Sequence, residues 1–212
     1  MNYVLKSDGK FKYAEIGEGR VIIILHGLMG GLSNFDGVIR KFSQSGYKLV
    51  LPELPVYTQS LINTNVKSFA KYLKEFIDHK DYKDVILVGN SLGGHIGLYY
   101  TKNNPERVAG IVLAGSSGLY ESAMGSGYTK RSDYNVMKAK AEEVFYDPAI
   151  ATKEIVDDVY ATVNDRSKLV KTLAIAKSAI RHNMAKDLPK INTAACIIWG
   201  KNDIVTPPNV AE

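Results

Sequence analysis

The sequence predicts an α/β protein: a mostly parallel sheet, entered through an antiparallel hairpin, with a set of helices inserted between two strands. Three observations predict it. Apolar runs of strand length alternate with stretches whose apolar residues recur at helical spacing, which is the order of βαβ units. The stretch Val85-Ile-Leu-Val-Gly89-Asn90-Ser91-Leu92-Gly93-Gly94-His95 reads as a buried strand, a sharp turn and a helix in direct succession. Between Gly115 and about Lys190 the alternation breaks, leaving three helical patterns and no convincing strand.

Taken in order, Tyr3–Leu5 and Phe11–Ile16 flank Ser7-Asp8-Gly9, a hairpin turn signal. Gly17-Glu18-Gly19 is a second turn, and Val21–Leu25 is a buried strand running into His26-Gly27-Leu28-Met29-Gly30-Gly31. Ser33 or Asn34 is placed to N-cap the next helix, whose apolar positions are Phe35, Val38, Ile39 and Phe42. Gly46 ends it, Tyr47–Leu51 is a strand closed by Pro52, and Val66 to Asp78 is a helix with Val66, Phe69, Leu73, Phe76 and Ile77 on one face. The Ser91 strand and helix follow, with Leu92, Ile96, Tyr99 and Tyr100 at helical spacing and Pro105 closing the helix. Val108–Ala114 is the next strand.

The inserted segment shows Met137, Ala141, Val144 and Phe145 on a first helix, and Ile155, Val156, Val159 and Val163 on a second capped by Thr152. Leu169, Leu173, Ala176 and Ile180 form the expected apolar stripe of a third. Ala194–Trp199 returns to the sheet, and Gly200-Lys201-Asn202-Asp203 lies at its C-terminal end, where parallel sheets place functional loops. The domain organisation expected is a core in residues 1–115, a helical cap in 116–190 and a second core part in 191–212.

With 212 residues the chain can bury one substantial core, and its 45% hydrophobic and 23% charged composition is that of an ordinary globular protein. The net charge of +5 comes from Lys and Arg scattered over helical stretches, with no basic run interleaved with aromatics, so nucleic acid is not an expected partner. Apolar runs are strand-sized and the N-terminus lacks a signal peptide's apolar centre, so no membrane partner is expected and the cytoplasm is the default location. The single cysteine, Cys196, sits in an apolar run and is expected to pack in the core. No metal or cofactor is called for.

Gly89-Asn90-Ser91-Leu92-Gly93 makes Ser91 the first candidate for chemistry. A serine on a strained strand-to-helix turn projects its hydroxyl at the tip of the sheet, and the helix N-terminus aims N–H groups at an oxyanion formed beside it. The plain alternative is a glycine-rich turn carrying a surface serine.

In the order and spacing of His26-Gly27, Gly89-Asn90-Ser91-Leu92-Gly93 and Gly200-Lys201-Asn202-Asp203, the chain resembles the α/β-hydrolase family over nearly its whole length. Two subgroups are most similar: cofactor-free carboxylesterases with a helical cap, and meta-cleavage-product hydrolases, which cut carbon–carbon bonds. Ser116-Ser117-Gly118-Leu119 and the Phe145–Thr152 segment resemble the second.

The resemblance implies Ser91 as nucleophile and the backbone N–H groups of Leu92 and Leu28, with Met29 the fallback, as oxyanion donors. It implies Asp203 as the acid that orients a catalytic histidine, against the plain reading of a turn residue before Pro207. Met29, Asn90 and His182 are expected at a substrate pocket. The family order places the histidine after the acid, and none follows Asp203; His26, His79, His95 and His182 all precede it. The family pattern extends roughly 40 residues past Glu212, so the expectation is a shortened chain of impaired activity, with Ala194–Trp199 an exposed edge through which it self-associates.

Meta-cleavage-product hydrolases carry a cap arginine before a tryptophan, where this chain has Asp158-Val159-Tyr160. A small carboxylic ester is therefore the expected substrate of a serine esterase, with a carbon–carbon hydrolase and a non-catalytic ligand-binding protein as the alternatives.

Overall fold

The computed structural model describes residues 4–120 and 130–212. Its strands are β1 (Lys6–Asp8), β2 (Phe11–Ile16), β3 (Arg20–Leu25), β4 (Tyr47–Pro52), β5 (Val85–Asn90), β6 (Val108–Ala114) and β7 (Ala195–Ile198). They form one sheet in the order β1-β2-β4-β3-β5-β6-β7. β1, β2 and β4 pair antiparallel, and β4, β3, β5, β6 and β7 run parallel. This is the mostly parallel α/β sheet with an antiparallel entry.

Helices α1 (Asp36–Phe42), α2 (Val66–His79) and α3 (Leu92–Asn103) flank the sheet, while α4 (Tyr134–Glu143), α5 (Lys153–Asn164) and α6 (Arg166–Arg181) lie between β6 and β7. One sheet face is covered by α2 and α3, where Phe69, Leu73, Phe76 and Ile96 are fully buried against Ile23, Leu25 and Leu87. The opposite face carries the smaller cluster of Phe35 and Ile39 on Ile24, Leu49 and Leu51. Asn65 caps α2, its Oδ1 accepting the Ser68 N–H at 2.9 Å.

Several expectations are corrected. The first hairpin strand is Lys6–Asp8 rather than Tyr3–Leu5, with Gly9 at φ 57° in the turn; Tyr3 lies outside the described residues. Ser33 and Asn34 do not cap α1, because Leu32–Phe35 forms a 3₁₀ turn and Phe35 takes the cap position without a side-chain bond. Thr152 stands at the N-cap of α5 but its hydroxyl makes no cap bond.

The buried face of α6 is Leu169, Thr172, Ile175, Ser178 and Ala179, so the helix is turned relative to the stripe through Leu173 and Ile180. The two polar members have partners: Thr172 Oγ1 lies 3.2 Å from the Tyr57 hydroxyl, and Ser178 Oγ accepts the Val66 N–H at 3.0 Å. Cys196 is exposed, because among the described residues β7 pairs only with β6 and all four of its residues are solvent-accessible.

Candidate active site

Ser91 stands between β5 and α3 at φ 50°, ψ −117°. A non-glycine residue at positive φ is strained and persists only where its surroundings over-determine it. Here they do. The Ser91 N–H donates to Ala114 O, and its carbonyl accepts from the N–H groups of His95 and Ser117, all at 3.2 Å. Glycines permit the close crossing: a Cβ on Gly89 would lie 2.4 Å from Gly94 Cα, and one on Gly93 would lie 2.1 Å from Leu25 O. The Ser91 side chain is half-buried, and its hydroxyl has no hydrogen-bond partner among the described residues.

The loop after β3 abuts this turn. A Cβ on Gly27 would sit 3.4 Å from Ser91 Cβ and 3.0 Å from Asn90 Oδ1. Gly30 N–H closes a turn on Gly27 O at 3.2 Å, and Met29 inside it has φ 59°. Leu28 and Met29, in the loop that abuts Ser91 at Gly27, are half-buried, whereas Leu92 is buried at the first position of α3. The Leu92 N–H belongs to the first helical turn, whose N–H groups have no intrahelical acceptor. Asn90 Nδ2 donates to Ala114 O at 3.1 Å, with Oδ1 toward Gly27.

Asp203 reaches the same end of the sheet from the loop after β7. Asn90, Ala114 and Ile198 are in register across β5, β6 and β7, so Ser91, Gly115 and the start of the Asp203 loop follow them side by side. Asp203 Oδ2 lies 3.1 Å from the Cβ position of Gly115, one strand over from Ser91, a lateral step of roughly 5 Å. Its Oδ1 accepts the N–H groups of Val205 and Thr206 at 2.9 Å, and Oδ2 accepts Thr206 Oγ1 at 3.1 Å. The turn role and the inward-facing oxygen thus belong to one carboxylate. No hydrogen bond joins Asp203 to Ser91 among the described residues. Thr206 was not singled out from sequence, although Asp followed three residues later by Thr ahead of a proline is an Asx-turn signal.

All four histidines are described, and no histidine ring is hydrogen-bonded to Ser91 among the described residues. His26 is buried, its Nδ1–H donating to Gly27 O at 2.9 Å while Nε2 accepts the Leu54 N–H at 3.1 Å; burial holds its pKa below the usual value. His79 pairs with Asp8 at 3.0 Å at the far end of α2. His95 is fully buried in α3 and donates Nε2–H to the His182 carbonyl at 2.9 Å, leaving Nδ1 unpartnered. The His182 ring, expected at the pocket, instead lies against Tyr99, its Nδ1–H donating to Ser178 O at 3.1 Å. Tyr99 is eight residues beyond Ser91 on α3, roughly 12 Å along the axis.

Among the described residues there is no cluster of metal-ligating side chains and no helix long and apolar enough to cross a membrane. The arrangement offers a strained, unpartnered serine at a helix N-terminus, a glycine-containing loop against it, and a carboxylate one strand away.

The chain is 59% identical to MGS-MChE2, an alpha/beta hydrolase enzyme from the metagenome of sediments of the Mar Chica lagoon, Morocco. That match has a TM-score of 0.79 and covers 98% of this chain and 80% of that one. It is 26% identical to the 2-hydroxy-6-oxononadienedioate/2-hydroxy-6-oxononatrienedioate hydrolase 1 of Pseudomonas putida, over 94% of this chain and 78% of the relative. It is also 26% identical to the dihydrolipoyllysine-residue acetyltransferase component of the acetoin cleaving system of Pseudomonas putida, over 91% of this chain but only 54% of that relative's length. The family model of the alpha/beta hydrolase fold matches residues 20–177, and that extent, together with the sheet order and the Ser91 turn, makes the chain a member of the α/β-hydrolase family.

Proposed function

We propose that this chain is a serine hydrolase of small carboxylic esters. The observation that carries the reading is Ser91 at φ 50°, with a free hydroxyl at the C-terminal end of the sheet and the α3 N-terminus beside it. In this reading Ser91 Oγ attacks the ester carbonyl. The developing oxyanion is held by the Leu92 N–H and an N–H of the Leu28–Met29 turn, each worth about 3–4 kcal/mol of barrier when preorganised. Asp203 orients and stabilises an imidazolium between itself and Ser91. None of the chain's own histidines stands there, so turnover by these 212 residues is slow. The helices between β6 and β7 serve as a cap, and Met29 and Asn90 border the pocket.

The second reading, cleavage of a carbon–carbon bond in a ring-fission dienoate, is favoured by the name of the 26%-identical Pseudomonas putida hydrolase. It is disfavoured by Asp158-Val159-Tyr160, which supplies no arginine for the dienoate's carboxylates. The test compares hydrolysis of p-nitrophenyl acetate with that of a 2-hydroxy-6-oxo-dienoate, each after subtracting the rate of Ser91→Ala. Ser91-dependent ester cleavage supports the first reading, and Ser91-dependent dienoate cleavage replaces it with the second. Saturable binding of either compound with no Ser91-dependent turnover, even with imidazole added, leaves a ligand-binding protein.

A further inference from the structure

The turned orientation of α6 has a consequence for the surface. With Leu169, Thr172, Ile175, Ser178 and Ala179 inward, the outward stripe is Arg166, Val170, Leu173, Lys177, Ile180 and Arg181. These recur at i, i+4, i+7, i+11 and i+14 to i+15, a continuous line along one helix face. Val170 and Ile180 are exposed, Ile180 by 61%. The helix carries five cations and no Asp or Glu, and Arg166, Lys177 and Arg181 form no ion pair among the described residues. The nearest acid in sequence, Asp165, is occupied as the helix cap, accepting the Lys168 N–H.

Beside the N-terminal end of this stripe the 3₁₀ turn Leu61–Asn63 projects Leu61 and Ile62, the latter 88% exposed. Leu61, Arg166, Ser167, Val170 and Lys171 line a surface groove of about 410 Å³ between the turn and the helix. Aliphatic side chains and unpaired cations are therefore interleaved on one face, on the inserted helices rather than on the sheet.

We infer that this face docks on an anionic lipid surface. Charge complementarity decides the occupant. A second copy of the chain would bring one all-cationic helix against another, which like-charge repulsion opposes. Ile62 and Ile180, 88% and 61% exposed, stand out on this face beside the groove, which suits insertion of side chains into a headgroup region. Arg and Lys reach outward past the aliphatics to phosphates, as on interfacial helices. Run lengths in the sequence point to no membrane partner; the interleaving of cations and aliphatics emerges only once the buried face of α6 is known. The inference is independent of what reaction Ser91 performs.

The test is co-sedimentation of the whole chain with vesicles of phosphatidylcholine alone and of phosphatidylcholine with roughly 30 mol% phosphatidylglycerol, at low and high salt. Binding is expected only to the anionic vesicles and is lost as salt rises. The triple variant R166Q/K177Q/R181Q, with its fold checked by circular dichroism, is expected to bind on the order of a hundredfold more weakly. Ile197→Lys, on the exposed edge strand β7, should leave vesicle binding unchanged. Equal binding to neutral and anionic vesicles, no binding to either, or an unaffected triple variant would each overturn the inference.

Discussion

Lowering the pH should destabilise the fold through His95. His95 has zero exposure, and burial, its largest perturbation, pushes its pKa down to about 4 from an ordinary 6.5. Its Nε2–H already serves the His182 carbonyl, while the orphan Nδ1 would have to carry a buried proton with no acceptor. A histidine depressed in the folded state stabilises it fully above the unfolded pKa, and that stability is lost as pH falls from 6.5 toward 4. Between about pH 7 and about pH 4.5 the linkage amounts to about 2.5 kcal/mol for this one group. His26 and His182 are also depressed, chiefly by burial, and add to the slope, so the measurement needs an isolating variant. His95→Gln keeps a donor for the His182 carbonyl and cannot titrate. Urea unfolding of both proteins across this range should give curves that converge by about 2.5 kcal/mol as the pH drops. Parallel curves would show that protonation of His95 is not coupled to folding, and the account of its buried, unpartnered Nδ1 would fail.

Three further outcomes follow from particular contacts. If Ser91 and Asp203 act as proposed, added imidazole should raise p-nitrophenyl acetate hydrolysis by the wild-type chain above that of Ser91→Ala. The increment should vanish in Asp203→Ala, and an increment independent of both residues would refute the site. Gly93→Ala, with a Cβ 2.1 Å from Leu25 O, should cost roughly 1–3 kcal/mol, whereas Gly37→Ala on α1, where nothing lies within 4 Å, should gain up to about 1 kcal/mol; melting curves distinguish the two. We also propose that the 212-residue chain self-associates through β7, whose Ile197 and Ile198 are 52% and 56% exposed on an edge paired only with β6. Sedimentation velocity should show concentration-dependent association that Ile197→Lys weakens, and a strictly monomeric wild type would dispose of the idea.

The strand, turn and helix around Ser91 were legible because every requirement there is local. β5 is a continuous apolar run, the glycines mark close approaches within a few residues, and α3 begins at once. Asp203 was legible as a candidate from its place after a predicted strand. Its dual use, both oxygens held by Thr206 with Oδ2 also over Gly115, depends on β6 and β7 being neighbours, and strand order is not written in either segment. Cys196 went astray for the same reason: an apolar run predicts a buried strand only when something covers both faces.

The inner face of α6 shows the deeper limit of periodicity. A hydrophobic stripe finds the buried side of a helix only if burial is apolar, and here Thr172 and Ser178 go inside because Tyr57 and the Val66 N–H, more than a hundred residues away in sequence, meet them. Buried polar atoms with partners cost little, so the helix can turn Leu173 and Ile180 outward without losing its dock on α2 and the 61–63 turn. The same partnering explains the histidines. His26 and His182 each commit ring Nδ1 to a backbone carbonyl, and His95 commits Nε2, so their occurrence near functional motifs reflects structural bonds rather than a base awaiting Ser91. A histidine's chemistry is set by which nitrogen remains free and where it points. Among the described residues the nitrogens without a partner include the sealed Nδ1 of His95 and Nε2 of His182, beside Tyr99, whereas His79 commits its Nε2 to Asp8. Since no histidine nitrogen is hydrogen-bonded to Ser91 among the described residues, the proposed proton transfer is probed by imidazole rescue rather than by histidine mutagenesis.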